Sequence, residues 1–306
     1  TLGNRLIPLG YDHENVWTLT LDTSISPDDN AGTGNDSIAR LEISDLIMKE
    51  VSSMKEVAAV AKNIYNIPYN DIYRSDLKYG DKTCYNVTYN ATDGTYPGVM
   101  NLKMQEGRWF DADDAAGKEI PIVINGGLKE ALFGEEPALN KVIQAGLYKV
   151  TGVVEYFKNS GEFTENTPHF FIMMKPGEIP WQLLIRSTPG SDEEFRTELV
   201  KRTSAVAKDW TITAGKLSDF RKRTIRIAWM PVIVISIISA FLIINILLGL
   251  MGLLWYNVNH RKSEIGLRKS VGAPTSRIKK QLIGEMLALA TLGIIPGLII
   301  ALQFPL

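Results

Sequence analysis

The sequence predicts an α+β fold: a two-lobed domain, in which two βαβ units flank a β-rich insertion that forms the second lobe, followed by transmembrane α-helices. Three observations predict it. Short stretches of alternating apolar and polar residues bracket helical periodicities near both ends of residues 1–215. The 34 residues between Arg226 and Arg261 contain no Asp, Glu, Lys or Arg. The net charge of −1 hides a split, with 21 basic against 31 acidic residues in 1–215 and 12 against 3 in 216–306. An acidic soluble part joined to a basic, apolar tail points to two different solvents for the two parts.

Val16 to Leu21 alternates as a strand, and a Gly/Asp/Asn-rich turn follows at Asp28–Asp36. From Ile38 to Met54, Ile43, Leu46, Ile47, Val51 and Met54 fall on one helical face, and Val57–Ile64 reads as the next strand. The unit recurs later, with Trp181–Ile185 as strand, a helix from Ser191 and Trp210–Thr213 as strand. Ser191 and Glu194 are spaced as a capping box, and Phe195, Leu199 and Val206 form that helix's apolar face. Residues 84–175 between the units are β-rich. Cys84 is the single cysteine, so no internal disulfide exists and the domain stands on its hydrophobic core.

A bilayer core of about 30 Å takes about 20 apolar residues at 1.5 Å each. The first charge-free run, taken as the span 227–259, exceeds that, so it either tilts strongly or rises out of the membrane as a stalk. Trp229 and the Trp255-Tyr256 pair stand where interfacial aromatic anchors belong. A second apolar segment closes the chain within residues 281–306 and is charge-free from Met286 onward, with Gly293 and Gly297 spaced to let another helix approach closely. The connecting loop, 260–280, carries Arg261, Lys262, Arg268, Lys269, Arg277, Lys279 and Lys280 against Glu264, which places it in the cytosol. Four cations just before the first span, Arg221, Lys222, Arg223 and Arg226, pull the other way. In the loop, Ser263 is positioned to cap a short helix, Glu264 and Arg268 to pair at i,i+4, and Gly272 with Pro274 to end it. Thr275 is then placed to cap the helix that follows. On these charges alone the loop reads equally as a solvated connector touching anionic lipid.

Catalytic chemistry finds little support. No GxxxxGK[ST] motif occurs. His13, His169 and His260 are scattered and form no recognisable metal site with Cys84. Asp111, Asp113 and Asp114 read as an acidic surface turn rather than as acid–base machinery. Asp28-Asp-Asn-Ala-Gly lacks the closing Glu of a calcium loop, since Ala39 stands there. The sequence therefore predicts no catalytic residue, metal or cofactor.

The string from His260 through Glu264, Ile265, Gly266, Arg268, Lys269 and Gly272 to Ala273, then Arg277-Ile and Glu285, resembles the FtsX-like permease domain. Glu106-Gly-Arg-Trp-Phe-Asp111, Pro121–Asn125, Ala131–Gly134, Leu139–Ile143 and Tyr148–Tyr156 resemble the MacB-type periplasmic core domain. Asn140 stands where that family usually has Gly. The resemblance implies the permease of a MacB/FtsX-type ABC transporter in a bacterial inner membrane, with 1–226 periplasmic and the βαβ units nearest the membrane. It implies four spans, so that one would precede this chain and one would follow it. Glu264, Ile265, Gly266, Arg268, Lys269, Gly272 and Ala273 would then form the cytosolic segment that contacts a separate ABC ATPase. A second permease copy, a periplasmic adaptor and membrane lipid are the further partners expected, with no nucleic acid. A membrane-anchored sensor signalling to another cytosolic protein is the competing reading, and an anchored ectoenzyme the weakest.

Overall fold

A computed structural model describes residues 8–23, 34–70, 72–162, 164–272 and 274–303. The turn at Asp28–Asp36 and the calcium-like string lie largely outside them. The chain divides into two units, residues 1–227 and 228–306.

In the first unit, β1 (Val16–Asp22), α1 (Gly34–Ser52) and β2 (Val57–Tyr65) form one βαβ unit. Strand β10 (Gln182–Ser187), α4 (Glu193–Val206) and β11 (Thr211–Lys216) form the other. The two βαβ units share one sheet. β1 lies antiparallel between β11 and β10, and β10 lies antiparallel between β1 and β2. The resulting order β11–β1–β10–β2 is the split βαβ arrangement, in which each unit supplies the strand that fills the other's gap. Alternation along the strands sorts the side chains. Trp17, Leu19, Leu183 and Ile185 join Ile47, Val51, Phe195 and Leu199 in one core, while Val16 and Leu184 face the other side.

Two local expectations are corrected. Leu46 is 53% exposed, because the buried stripe of α1 runs through Ile43, Ile47 and Val51 and Leu46 sits a third of a turn away. The N-cap of α4 is Asp192, whose carboxylate accepts from the Glu194 amide at 3.0 Å. Ser191 is used up one residue earlier, its hydroxyl donating to Thr188 O at 2.9 Å to close the preceding turn.

Between the units lie β3 (Arg74–Tyr79), β4 (Lys82–Thr92), α2 (Tyr96–Met100), β5 (Met104–Gly107), β6 (Ile120–Asn125), α3 (Gly126–Phe133), β7 (Val142–Ile143), β8 (Tyr148–Val154) and β9 (His169–Met173). They continue the same sheet, in the order β11–β1–β10–β2–β4–β9–β6–β8–β5, with β3 on β4 and β7 on β8. A core of Tyr96, Val99, Phe110, Val123, Phe157 and Phe171 meets Val16, Ala61 and Leu184, so apolar packing crosses the join between β2 and β4. On the opposite face α3 packs Leu128, Leu132 and Phe133 onto Ile122, Ile124, Val150 and Phe170. Asn140 has φ +63°, the left-handed region that Asn adopts more readily than most residues. Gly127 has no such latitude, since a Cβ there would stand 1.9 Å from Asn166 O.

A line of buried polar side chains threads this apolar sheet. Asn63 on β2 donates to Gln182 Oε1 at 3.2 Å and accepts from Asn90 Nδ2 on β4 at 2.6 Å. His169 Nε2 on β9 lies 2.9 Å from Asn90 Oδ1, and its backbone N–H donates to Asn125 Oδ1 on β6 at 2.9 Å. Each buried group is satisfied by the next strand's residue, which pins the strand neighbours to one register.

Helix α5 runs unbroken from Leu217 to His260, 44 residues. Leu217 and Phe220 join the first unit's core. From Ile227 to Gly249 the helix is exposed on every side and, among the described residues, it is the one helix long and apolar enough to cross a membrane. Helix α6 (Lys262–Ser270) and α7 (Thr275–Gln303) follow.

Candidate functional site

Every residue that the sequence singled out as a coupling contact lies on or just after α6, except that Ala273 falls outside the described residues. The chain leaves α5 at Arg261, with φ −101° and ψ 16°, and resumes helical bonding at once, Ile265 N donating to Arg261 O at 2.9 Å. Arg261 therefore holds the N-cap position and no side chain caps α6. This corrects the role expected for Ser263, which sits inside the first turn because the break between the helices is a single residue long. Val271 N donates to Leu267 O, and Gly272 follows with φ +91°, the left-handed stop that glycine adopts without strain. Thr275 opens α7, and its side chain is not among those described.

The paired charges fall where the spacing put them. Arg268 Nη2 donates to Glu264 Oε1 at 2.5 Å. The structure adds partners that i,i+4 spacing did not give. Arg268 Nη1 also donates to Gln281 Oε1 on α7 at 3.2 Å, and Gln281 Nε2 donates to Glu285 Oε1 at 3.2 Å. Glu285 in turn accepts from Arg261 Nη1, at 3.1 Å to Oε2. A continuous chain Glu264–Arg268–Gln281–Glu285–Arg261 thus ties α6 to α7 and to the end of α5. Sequence reasoning missed Gln281 and gave Glu285 only as part of a motif. Their own i,i+4 spacing on α7 was the available signal.

The four charged members are each about half exposed, from 45% to 51%. Pairs so wetted contribute on the order of 0.2–1 kcal/mol each, so the chain sets orientation more than stability. Leu267 on α6 and Val271 just after it are 68% and 83% exposed. Gly266, Lys269 and Gly272 are exposed and Ile265 is half-buried. In a Cys84→Ser background, spin labels at Ser270 and Lys280 are expected to report a wider distance distribution in Glu285→Arg. The distribution should narrow again in Arg261→Glu/Glu285→Arg, and equal widths in all three proteins would contradict the network's role.

Elsewhere the candidates resolve into structural work. Asp111 caps a short 3₁₀ turn, Ala112–Ala116, by accepting from the Asp113 amide at 3.0 Å. The Asp114 carboxylate returns to the Asp111 amide and is held below its ordinary range by Arg108, which donates to it at 2.7 Å. The three carboxylates form a capped turn. His169 is fully buried with both ring nitrogens engaged, Nδ1 at 2.8 Å from Thr88 Oγ1. Cys84 is half-buried, and burial pushes its thiol up. Among the described residues no cluster of three or more His, Cys, Asp or Glu side chains could hold a metal ion. Gly293 and Gly297 are exposed on α7, and a Cβ at either would meet nothing within 4 Å.

Residues 7–205 match the MacB-like periplasmic core domain family, and residues 236–304 match the FtsX-like permease C-terminal family. The chain is 26% identical over 224 residues to the macrolide export ATP-binding/permease protein MacB 1/2 of Paracoccus denitrificans, covering 69% of this chain and 33% of that protein. It is 25% identical over 276 residues to the macrolide export ATP-binding/permease protein MacB of Bordetella avium, covering 83% of this chain and 41% of that protein. The chain thus spans well under half the length of either relative. The crystal structure of the periplasmic region of MacB from Actinobacillus actinomycetemcomitans superposes with a TM-score of 0.48 at 15% identity, over 69% of this chain and 92% of that one.

Proposed function

We propose, from the premise that the chain belongs to the MacB/FtsX-type ABC transporter permease family, that it couples ATP hydrolysis on a separate ATPase to motion of its first unit. In this reading residues 1–226 face the periplasm, α5 and α7 cross the inner membrane, and α6 meets the ATPase from the cytosol. The observation that carries it is α5 itself. One helix begins with Leu217 buried in the αβ unit and carries, from Ile227 on, an exposed apolar stretch long enough to cross a membrane. In this reading displacement travels along that helix, as coupling through a secondary element does.

The two-state element is the pair of membrane helices in a permease dimer, biased by nucleotide on one side and cargo on the other. Glu264 and Arg268 act by holding α6 against α7, and Ile265, Gly266, Lys269, Gly272 and Ala273 complete the segment offered to the ATPase. Gly293 and Gly297 are left for close approach by a helix of the second copy or of a neighbouring span.

The test is affinity capture of the tagged chain from native membranes, with the bound proteins identified by mass spectrometry. An ABC ATPase in stoichiometric yield is the expected result. A non-ABC signalling protein in its place would overturn the reading in favour of an anchored sensor.

A further inference from the structure

Four cations before the apolar run of α5 oppose the positive-inside pattern, and the structure divides them into two kinds. Arg221 pairs with Glu162, and Lys222 donates to Asp219 Oδ1 at 3.1 Å. These two are neutralised within the first unit. Arg223 and Arg226 are exposed and have no acidic partner among the described residues. They stand three residues apart, hence on one side of the helix and about 4.5 Å apart along its axis. Arg226 immediately precedes Ile227, where the exposed apolar stretch begins, and Trp229 follows at 49% exposure.

From this placement we infer that Arg223 and Arg226 form a phosphate-binding collar that holds an anionic phospholipid headgroup of the outer leaflet against the base of α5. The inference rests on the reading of α5 as a membrane-crossing helix. Charge complementarity selects the occupant. Two guanidiniums beside the start of an apolar helix meet lipid phosphates at that depth, and a guanidinium binds a phosphate bidentately. The rest of the unit favours the same arrangement. With 31 acidic against 21 basic residues in 1–215, it would be repelled by an anionic leaflet, so the collar supplies attraction where α5 enters that leaflet. Because the other two cations are bound to Glu162 and Asp219, the lipid contact does not compete with the packing of Phe220 and Leu217.

The full chain, purified in a neutral detergent, is titrated with dioleoyl phosphatidylglycerol and separately with dioleoyl phosphatidylcholine, and retained lipid is read by native mass spectrometry. Phosphatidylglycerol is expected to bind more tightly, and Arg223→Gln/Arg226→Gln to weaken it by about thirtyfold, the equivalent of roughly 1 kcal/mol per arginine near an anionic surface. Lys222→Gln, whose cation is already paired, should leave the affinity unchanged. Both variants change exposed side chains, and an unaltered melting curve verifies that they fold. Inorganic phosphate at millimolar concentration should not displace the lipid. Equal retention of the two lipids, an unchanged affinity in the double variant, or displacement by inorganic phosphate overturns the collar alone. Recovery of the chain from the soluble fraction without detergent overturns the membrane-crossing reading, and the collar with it.

Discussion

Asn125→Ala is expected to destabilise the first unit by about 3–5 kcal/mol, with the loss coming from hydrogen bonds rather than from volume. The side chain closes β6 and opens α3. Its carbonyl oxygen accepts from Leu128 N at 3.0 Å, the N-cap bond of α3, and from His169 N at 2.9 Å. Its amide donates to Thr167 O at 2.8 Å and to Asn166 Oδ1 at 3.0 Å. Losing the cap costs about 1 kcal/mol. The buried His169 N–H is then left without a partner, at about 1–3 kcal/mol, and the half-buried Thr167 C=O loses its bond to Asn125 at about 1 kcal/mol. Asn125→Asp keeps both acceptor bonds and loses the donations, so its loss should be of a different size, with the charge in a buried place adding to it. Urea unfolding of the detergent-solubilised chain, followed by its tryptophan fluorescence, to which Trp17, Trp109, Trp181 and Trp210 of the first unit contribute, measures both. A midpoint within error of the parent's for Asn125→Ala would show that the strand join does not depend on this residue.

Acidification is expected to remove stability through His169 before most carboxylates titrate. The ring is fully buried, and burial lowers its pKa to about 3. Asn90 donates its amide to Asn63, so its oxygen faces His169 and assigns the proton to Nε2, leaving Nδ1 to accept from Thr88. Protonation would place a second N–H against the Thr88 hydroxyl and a charge in an apolar layer between Phe157 and Phe171. The unfolded chain takes up a proton near the ordinary histidine value of about 6.5, whereas the folded chain does so only near 3, so the unfolded state binds more protons in between. The stabilisation is therefore complete above about 6.5 and is lost as pH falls, at about 1.4 kcal/mol per unit, or about 2 kcal/mol by pH 5. His13, lowered mainly by partial burial, tilts the curve the same way to a smaller extent. His169→Gln, which cannot titrate, should lower stability at neutral pH and flatten the slope between pH 7 and 5. Parallel slopes in the two proteins would assign the acid loss to other groups.

How far the sequence could be read follows the range of the interactions involved. The strands at Val16, Val57 and Gln182 were legible because alternation along one strand is a local property. The Glu264–Arg268 pair was legible for the same reason, since four residues on one helix are always neighbours. Errors arose where two local signals competed. Ser191 and Asp192 could each cap α4, and only the turn closed by Ser191 on Thr188 O decides between them. Ser263 failed similarly, because the one-residue length of the break at Arg261 cannot be read from composition. Gln281 and Glu285 were missed as partners of α6 because their bonds cross between helices 13 and 24 residues apart in sequence.

The sequence by itself determined that this chain has an acidic αβ part, a long apolar helix, a short basic helix and a family likeness, since each is written in composition, periodicity or a contiguous string. Only the tertiary structure decided that the two βαβ units interleave into one sheet and that the polar line from Gln182 to Asn125 crosses its join. It also decided which of the cations before the apolar run of α5 are already paired. Those facts depend on residues more than a hundred positions apart meeting, as Asn63 and Gln182 do, and no local pattern records which distant strand will supply a buried group's partner.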